Sequence, residues 1–352
     1  MIRRIASLLL LLVPAAMLIS QEKSPLPRAR QLESAKQFEQ ANELLSDYTR
    51  RNPKDMDAWV ELGRVQLQQR LSDDAMRSYA AALAIAPNSH SAREGEVKAA
   101  IESALADRKA GDNDGALGCL DRARKLVPDS PELLTDFGIQ ADSMQIYEDA
   151  EKALARAHEL APNDPKTLYA LAHVQLDEQK MADAEANLRA YLKLKPGDAS
   201  AHYGLGHLLH MMLRDDQAKS ELERSIALQP AQTASYYELG EIALQMGQNS
   251  EAKSDYTKVL SVDPRHGGAL TGMGILAYRA KNYNSAEQYL KEAVLCAPDY
   301  VEAHHYYALV LAQLGDTQGA ARESALAGSL RMQQDKLRHG YFLITPSTNS
   351  TH

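Results

Sequence analysis

Apolar residues recur along the chain with the spacing of amphipathic helices, and a proline marks the same point in each repeat of that pattern. From Pro128 to Pro298, six prolines follow one another at intervals of 34 residues. A helical apolar pattern precedes each proline, and polar residues such as Asn163 and Asp164 follow it. Because proline cannot continue a helix and disfavours helix at the residue before it, each of these prolines predicts a helix end.

Small residues occupy two further fixed positions in each period. An alanine lies twelve residues before each proline, and the series extends backward and forward: Ala75, Ala116, Ala150, Ala184, Ala218, Ala252, Ala286 and Ala320. The eighth position of each unit, counted from Val97 in the longer second unit, is also small: Gly63, Ala104, Gly138, Ala172, Gly206, Gly240, Gly274 and Ala308. Two helices approach closely only where side chains are minimal. The two columns therefore predict a tight crossing between the first helix (helix A) and the second helix (helix B) of each unit.

This periodicity divides residues 56–334 into eight helix pairs. The predicted units are 56–89, 90–130, 131–164, 165–198, 199–232, 233–266, 267–300 and 301–334. The second unit is seven residues longer than the period, which is almost two helical turns, so it predicts a lengthened first helix from about Ser89 to Ala110. Residues 31–55 predict a terminal half-repeat that caps the stack. Residues 335–352 predict the end of a capping helix, stopped at Gly340, and a flexible tail.

The unit that begins at Met56 resembles the tetratricopeptide repeat. It carries the family's residue types at the family's offsets: Trp59, Leu62, Gly63, Ala75, Tyr79, Ala82 and Pro87. The resemblance implies an all-α, right-handed superhelical solenoid of helix–turn–helix repeats, in which the A helices line a concave, protein-binding groove. One departure is that the family's aromatic residue at the eleventh position of helix A is replaced by residues such as Gln66 and Gln175.

The resemblance also implies which side chains face the groove. Mapping the family's groove positions onto this chain gives Tyr169, His173, Tyr203, His207, His210, Tyr237, Glu241, Tyr278, His305 and Tyr306. Tyrosine offers rigid contact area and a hydroxyl that is satisfied in water, which is typical of binding surfaces. A purely structural role for the same tyrosines, as packing between adjacent A helices, stays open at this point.

The first twenty residues have the pattern of a secretory signal peptide. Arg3 and Arg4 precede an apolar stretch, residues 5–19, which is interrupted only by Ser7. Fifteen residues make a helix of about 22 Å, shorter than the roughly 30 Å of a bilayer's hydrocarbon core. We therefore expect a protein exported to the periplasm or the extracellular space. The alternative is an inner-membrane anchor formed by residues 5–19 if the segment is not cleaved, and residues 21–30, with two prolines, predict an extended linker.

Charge and cysteine content exclude several classes of function. The formal net charge is −8 and no basic face is evident, which disfavours nucleic-acid binding. Two cysteines, Cys119 and Cys296, exclude a disulfide scaffold and multi-cysteine metal sites. His207 and His210 have the helical spacing of metal ligands, but the repeat register places no carboxylate among the groove histidines. We expect neither a metal nor a cofactor.

Two remaining patterns carry less weight. His304 and the adjacent His305 face different sides of a helix, which favours a surface position for the pair. The sequence contains no nucleophile elbow and no phosphate-binding loop, so we expect no enzyme. The sequence thus predicts a non-catalytic scaffold or assembly factor that binds a peptide or helix of a protein partner. The alternative is a glycan- or small-ligand-binding solenoid that uses the tyrosines as stacking platforms.

Overall fold

A computed structural model describes residues 24–344, with side chains described up to residue 334, and this part of the chain is helical without a strand. The described residues divide into an N-terminal unit that ends at Ile146 and a C-terminal unit that begins at Tyr147. The N-terminal unit contains α1 (Leu26–Ser34), α2 (Phe38–Arg51), α3 (Met56–Gln68), α4 (Ser72–Ile85), α5 (His90–Ala110), α6 (Asn113–Leu126) and α7 (Pro131–Ser143). The C-terminal unit contains α8 (Tyr147–Leu160), α9 (Pro165–Asp177), α10 (Met181–Leu194), α11 (Ala199–Met211), α12 (Asp215–Leu228), α13 (Thr233–Gln245), α14 (Asn249–Val262), α15 (Gly267–Arg279), α16 (Tyr283–Cys296), α17 (Val301–Leu314) and α18 (Thr317–Ile344). Odd-numbered helices are A helices and even-numbered helices are B helices. The predicted signal peptide, residues 1–20, and the end of the predicted tail, residues 345–352, lie outside the described residues.

The prolines end the B helices as the sequence predicted. In α10, for example, the helix ends at Leu194, two residues before Pro196, and the next A helix begins three residues after that proline. Carboxylates then cap several A helices at their first turn. The Asp198 carboxylate accepts a hydrogen bond from the Ala201 amide at 3.1 Å, and Asp164 accepts one from Thr167 at 2.9 Å. Such caps satisfy amides that have no partner within the helix.

The tight crossing predicted between helices A and B is confirmed. A Cβ atom added at Gly206 would lie 2.8 Å from Leu222, and one added at Gly274 would lie 2.5 Å from Leu290. Real Cβ atoms essentially never approach another heavy atom within 3.0 Å. Glycine at these positions therefore leaves room for the leucine of helix B that lies four residues after the repeated alanine.

Where a tyrosine replaces that leucine, glycines lie on both sides of the ring. The ring of Tyr256 in α14 is fully buried between Gly240 of α13 and Gly272 of α15. A Cβ at either glycine would lie 2.6 or 2.4 Å from the ring. A large aromatic ring thus occupies a position that holds a leucine in other repeats. It requires a glycine within each of the two neighbouring A helices, and glycine lowers the stability of a helix.

A hydrogen-bonded pair replaces the aromatic residue that is missing from the eleventh position of helix A. Gln66 is buried and accepts a hydrogen bond from the Ser78 hydroxyl of helix B at 2.7 Å. Gln175 is likewise buried and accepts one from the Asn187 amide at 2.8 Å. In each pair the two residues are twelve positions apart in the chain. The hydrogen bond satisfies polar groups that would be costly to bury without a partner.

The expected linker and half-repeat at the N-terminus are replaced by a helix pair. Helix α1 starts within the stretch 21–30 that was expected to be extended, and with α2 it makes a complete pair rather than a half-repeat. The two prolines precede or enter its first turn, where proline is tolerated. Ala29 and Leu32 are buried in a cluster with Leu45 and Leu62, and this burial stabilises α1.

The lengthened helix of the second repeat is confirmed, because α5 spans 21 residues. Its first half packs on α4 through Gly95, whose added Cβ would lie 2.2 Å from Tyr79, and its second half packs on α6, where the Cys119 sulfur lies 3.7 Å from the Ala100 carbonyl oxygen. At the other end of the chain, α18 continues through Gly340 to Ile344, so the expected stop at Gly340 is wrong. None of the helices within residues 24–344 is long and apolar enough to span a membrane.

Candidate functional site

The ten residues mapped to the groove all lie on A helices of the C-terminal unit, from α9 to α17, and we call the surface they mark the A-face. Helices α11, α13, α15 and α17 contact one another in chain order, which brings their side chains onto one surface. Three of the ten side chains are exposed: Tyr169, His173 and His305. The other seven are half-buried: Tyr203, His207, His210, Tyr237, Glu241, Tyr278 and Tyr306.

Tyr169 at the α9 end of the A-face is 39% exposed and rests on a second tyrosine. Its ring centroid lies 5.1 Å from that of Tyr191 in α10, at an interplanar angle of 54°. The Tyr191 hydroxyl donates a hydrogen bond to Asp198 at 2.6 Å, which fixes the ring beneath Tyr169. Burial and the Asp198 charge both raise the pKa of the Tyr169 hydroxyl, so it is a neutral donor and acceptor around pH 7.

Tyr203 and His207 form the next step, one helical turn apart on α11. Their rings are stacked with centroids 6.1 Å apart and an interplanar angle of 21°. The His207 Nδ1 atom lies 3.0 Å from the carboxylate of Glu238, which is 8% exposed on α13. The hydrogen bond to Glu238 raises the pKa of His207 above its usual value. This pair links two neighbouring A helices and presents the stacked rings to the surface.

The structure corrects the inference that no carboxylate lies among the groove histidines. His210 Nδ1 lies 2.7 Å from Asp215, and His173 Nδ1 lies 3.7 Å from Asp177. Together with the His207–Glu238 pair, each of these histidines has a carboxylate neighbour. The register argument missed these neighbours because Asp177 lies on the same helix as His173, Asp215 is the first residue of α12, and Glu238 lies on the next A helix. The carboxylates are three different residues, so the histidines are held in separate pairs.

Tyr237 and Glu241 on α13 belong to a polar cluster with Tyr256 and Tyr300, rather than to an exposed row of groove side chains. The Tyr256 hydroxyl donates to Glu241 at 2.7 Å, and Glu241 and Tyr300 both act electrostatically on Tyr237. Burial raises the pKa of Glu241, and the nearby charge of Glu302 adds to the effect. Burial likewise raises the pKa of Tyr237, and raises that of Tyr300 to about 12.

The space for Tyr237 comes from a glycine on the next A helix. A Cβ added at Gly268 would lie 2.7 Å from the Tyr237 hydroxyl oxygen, and the His266 ring lies 4.9 Å from the Tyr237 ring. Packing between adjacent A helices, the structural role that the sequence left open, is therefore what the contacts of Tyr237 show.

Aromatic contacts continue at the α17 end of the A-face. The Tyr278 ring lies 5.8 Å from Tyr283 and 6.0 Å from Tyr306, with an edge-on geometry to the latter. The exposed His305 ring lies 5.4 Å from Tyr306, also edge-on. Edge-to-face contacts of this kind hold rings in fixed orientations. The A-face is therefore a set of pre-oriented aromatic side chains with exposed edges.

His304 differs from the sequence expectation, because it is 4% exposed and not at the surface. Its Nδ1 atom lies 2.6 Å from Glu323, and its Nε2 atom lies 3.0 Å from the Pro298 carbonyl oxygen. His202 makes the same two contacts, with Glu221 at 2.7 Å and the Pro196 carbonyl at 3.2 Å. The two histidines are three periods of 34 residues apart, and this spacing could have identified the motif from the sequence.

Family models for tetratricopeptide repeats match most of the described chain. The model described as tetratricopeptide repeat matches residues 26–90 and 169–218. The model described as the middle TPR-like domain of cilia and flagella-associated protein 70 matches residues 209–333. The matches start at α1, in agreement with a helical rather than extended segment there. No curated protein matches the sequence.

Several solved structures share the fold at low sequence identity. A tetratricopeptide repeat protein from Parabacteroides merdae is 16% identical over 66% of this chain and 93% of its own, with a TM-score of 0.55. PilF of Pseudomonas aeruginosa is 17% identical over 61% of this chain and 98% of its own, with a TM-score of 0.54. YrrB, described as a TPR protein with an unusual peptide-binding site, is 22% identical over 53% of this chain and 96% of its own, with a TM-score of 0.45. The first two similarities, both with TM-scores above 0.5, show an all-α helical-repeat fold.

Proposed function

Because the chain is a tetratricopeptide-repeat protein, we propose that it is a non-catalytic scaffold that binds a peptide or helix of another protein on the A-face of its C-terminal unit. The A-face then corresponds to the concave groove of the family. The fold supports this assignment only at the level of protein binding, since one fold serves many partners.

The observation that carries the proposal is the row of oriented, partly exposed rings on successive A helices. Tyr169 keeps 39% of its surface exposed although its ring rests on Tyr191. Tyr203 and His207 are stacked, and the acid that holds His207 is almost completely buried. Rings fixed in this way lose little conformational entropy when a partner binds, which is how preorganised surfaces gain affinity.

The contacts divide the ten A-face residues into two roles. Tyr169, Tyr203, His207, Tyr278 and His305 provide the contact surface. Glu241 accepts the Tyr256 hydrogen bond from α14, and Tyr237 packs over Gly268 of α15, so both residues act mainly in helix packing. We assign Tyr306 to the support of Tyr278 and His305, whose rings it contacts edge-on, and we assign His173 and His210 to the edges of the surface.

Panning of a random peptide library against the purified chain tests the proposal. We expect selected peptides to bind at least tenfold more weakly to a Tyr169→Ala/Tyr203→Ala double variant, with unchanged helical content by circular dichroism. The matched control is Tyr236→Ala, because Tyr236 is also a half-buried tyrosine on an A helix but contacts Lys258 of α14 at 4.5 Å. Equal affinity of the peptides for the double variant and for the wild type would contradict the assignment. Selective binding of the chain to a glycan array, with no peptide selected, would favour the alternative ligand class.

We also propose that the chain is exported. The pattern of residues 1–20, a basic start followed by a short apolar stretch, supports this. A protein-binding scaffold outside the cytoplasm would act on envelope or extracellular partners.

A further inference from the structure

A carboxylate occupies a core position of the lengthened helix α5. Counted from the first residue of each A helix, the seventh position is apolar or aromatic in the other repeats: Leu62, Phe137, Leu171, Leu205, Leu239, Met273 and Tyr307. In α5 this position is Glu96, directly after Gly95, which packs against the Tyr79 ring of α4. Glu96 is the one charged residue in this column.

The environment of Glu96 does not compensate its charge. The residue is 1% exposed, and its Oε2 atom has no hydrogen-bond partner among the described residues. An unpartnered buried polar atom is uncommon in folded proteins, and an unpartnered buried charge is costlier still. The ionised form of Glu96 is therefore unfavourable where α5 packs on α4.

Among the influences on the pKa of Glu96, burial is the largest. Helices α3, α4, α6 and α7 pack against α5. From α6, Arg122 favours the charged form but is itself exposed and forms no ion pair with Glu96 in the described structure. From α4, Tyr79 responds to the Glu96 charge, and Glu61 and Arg64 of α3 act on the same tyrosine. Among the described residues, no side chain of α7 affects Glu96.

Burial therefore raises the pKa of Glu96 from its ordinary value of 4.5 to about 7. A group with a raised pKa in the folded state contributes stability that is fully present below its unfolded value and is lost as pH rises through the folded value. Here the window runs from about pH 4.5 to about pH 7. The difference corresponds to a change of about 300-fold in the equilibrium between the packed and the open form.

We propose that Glu96 is a proton-dependent lock on the N-terminal unit. Protonated, its side chain is neutral and fills the position that a leucine fills in other repeats. Ionised, it favours opening of α5 toward solvent at this turn, within the half of the helix that packs on α4. The lock is independent of the binding function proposed for the C-terminal unit.

Hydrogen exchange of the full-length chain across pH 5.0–8.5, corrected for intrinsic exchange rates, tests the lock. In the wild type, we expect the protection of α4, α5 and α6 amides to fall with rising pH, by up to about 300-fold. Glu96→Gln should abolish most of this dependence. The control is Glu94→Gln, an exposed carboxylate on the same helix, which should behave like the wild type.

A measurement on the wild type alone tests the proposal even if Glu96→Gln does not fold. The backbone amide shifts of residues 95–97 in the wild type, followed by NMR, should titrate with a midpoint near pH 7. An equal loss of protection in Glu96→Gln and the wild type overturns the proposal, and so does a wild type whose protection does not change with pH. A midpoint below pH 5.5 at residues 95–97 has the same consequence.

Discussion

Two glycines at the same register provide a sharp test of how aromatic rings fit between the repeats. Gly272 and Gly204 both occupy the sixth position of an A helix. A Cβ at Gly272 would lie 2.4 Å from the fully buried Tyr256 ring, whereas a Cβ at Gly204 would have nothing within 4 Å. The prediction is that Gly272→Ala destabilises the protein and that Gly204→Ala stabilises it.

The expected magnitudes follow from the two environments. Replacing glycine by alanine within a helix gains up to about 1 kcal/mol from helix propensity, which is the whole effect at Gly204. At Gly272 the same gain is opposed by overpacking against a ring that cannot move, which costs about 1–3 kcal/mol. The free energies of unfolding of the two variants should therefore differ by about 2 kcal/mol, and the changes relative to the wild type should have opposite signs because the overpacking cost exceeds the propensity gain.

Urea unfolding followed by circular dichroism at 222 nm measures the difference, with the transition midpoints compared because repeat proteins need not unfold in two states. The Tyr256→Leu substitution should partly rescue Gly272→Ala, since Leu222 and Leu290 occupy the register of Tyr256 in other repeats. The reasoning is refuted if both glycine variants shift the midpoint in the same direction by the same amount.

Three further predictions concern single contacts and processing. Ser78→Ala leaves the Gln66 side chain without its buried donor and should lower the free energy of unfolding by about 1–3 kcal/mol, measured in urea; a change below 0.5 kcal/mol contradicts a buried bond. The pKa of His207 in a ¹H–¹⁵N NMR titration should lie above 6.5 and fall in Glu238→Gln, because the pair stabilises the folded state below about pH 6.5 and this stabilisation is lost as pH rises through the folded value. N-terminal sequencing of the mature protein should begin after residue 20 or nearby, whereas an intact Met1 in a soluble cytoplasmic fraction argues against export.

The helix framework follows from the sequence because its determinants are local. Proline stops and small-residue crossings act within one repeat, so their spacing alone predicts where helices end and which faces meet. The 21-residue helix α5 was predicted for the same reason, since an insertion of about two turns preserves the packing face.

The exposure of the groove side chains depends on neighbouring repeats and could not be predicted in this way. Tyr203 and Tyr237 share a register, but Tyr237 extends over Gly268 of the next A helix and meets Tyr300 beyond it. The residue equivalent to Gly268 in the repeat after Tyr203 is Ala234. A pattern that treats each repeat alone therefore assigns both tyrosines the same role, and the structure separates them.

The errors at the ends of the chain have a similar origin. Two prolines in residues 21–30 indicated an extended segment. Proline is also favoured in the first turn of a helix, and α1 has a proline there. The decisive factor was the burial of Ala29 and Leu32 against the following helices, which is a tertiary effect. His304 is expected at the surface because it and His305 face different sides of one helix. Its two hydrogen-bond partners, Glu323 and the Pro298 carbonyl, lie on other elements, which the pattern of a single helix does not include.

NMR mapping of a bound peptide tests the central claim, that the A-face of the C-terminal unit is the binding surface, most directly. A peptide selected from the library is added to protein labelled on its tyrosine rings. The account predicts that the ring resonances of Tyr169, Tyr203 and Tyr278 shift on binding, while that of Tyr236 stays in place. Shifts confined to tyrosines of the B helices, with the three A-face rings unchanged, would contradict it.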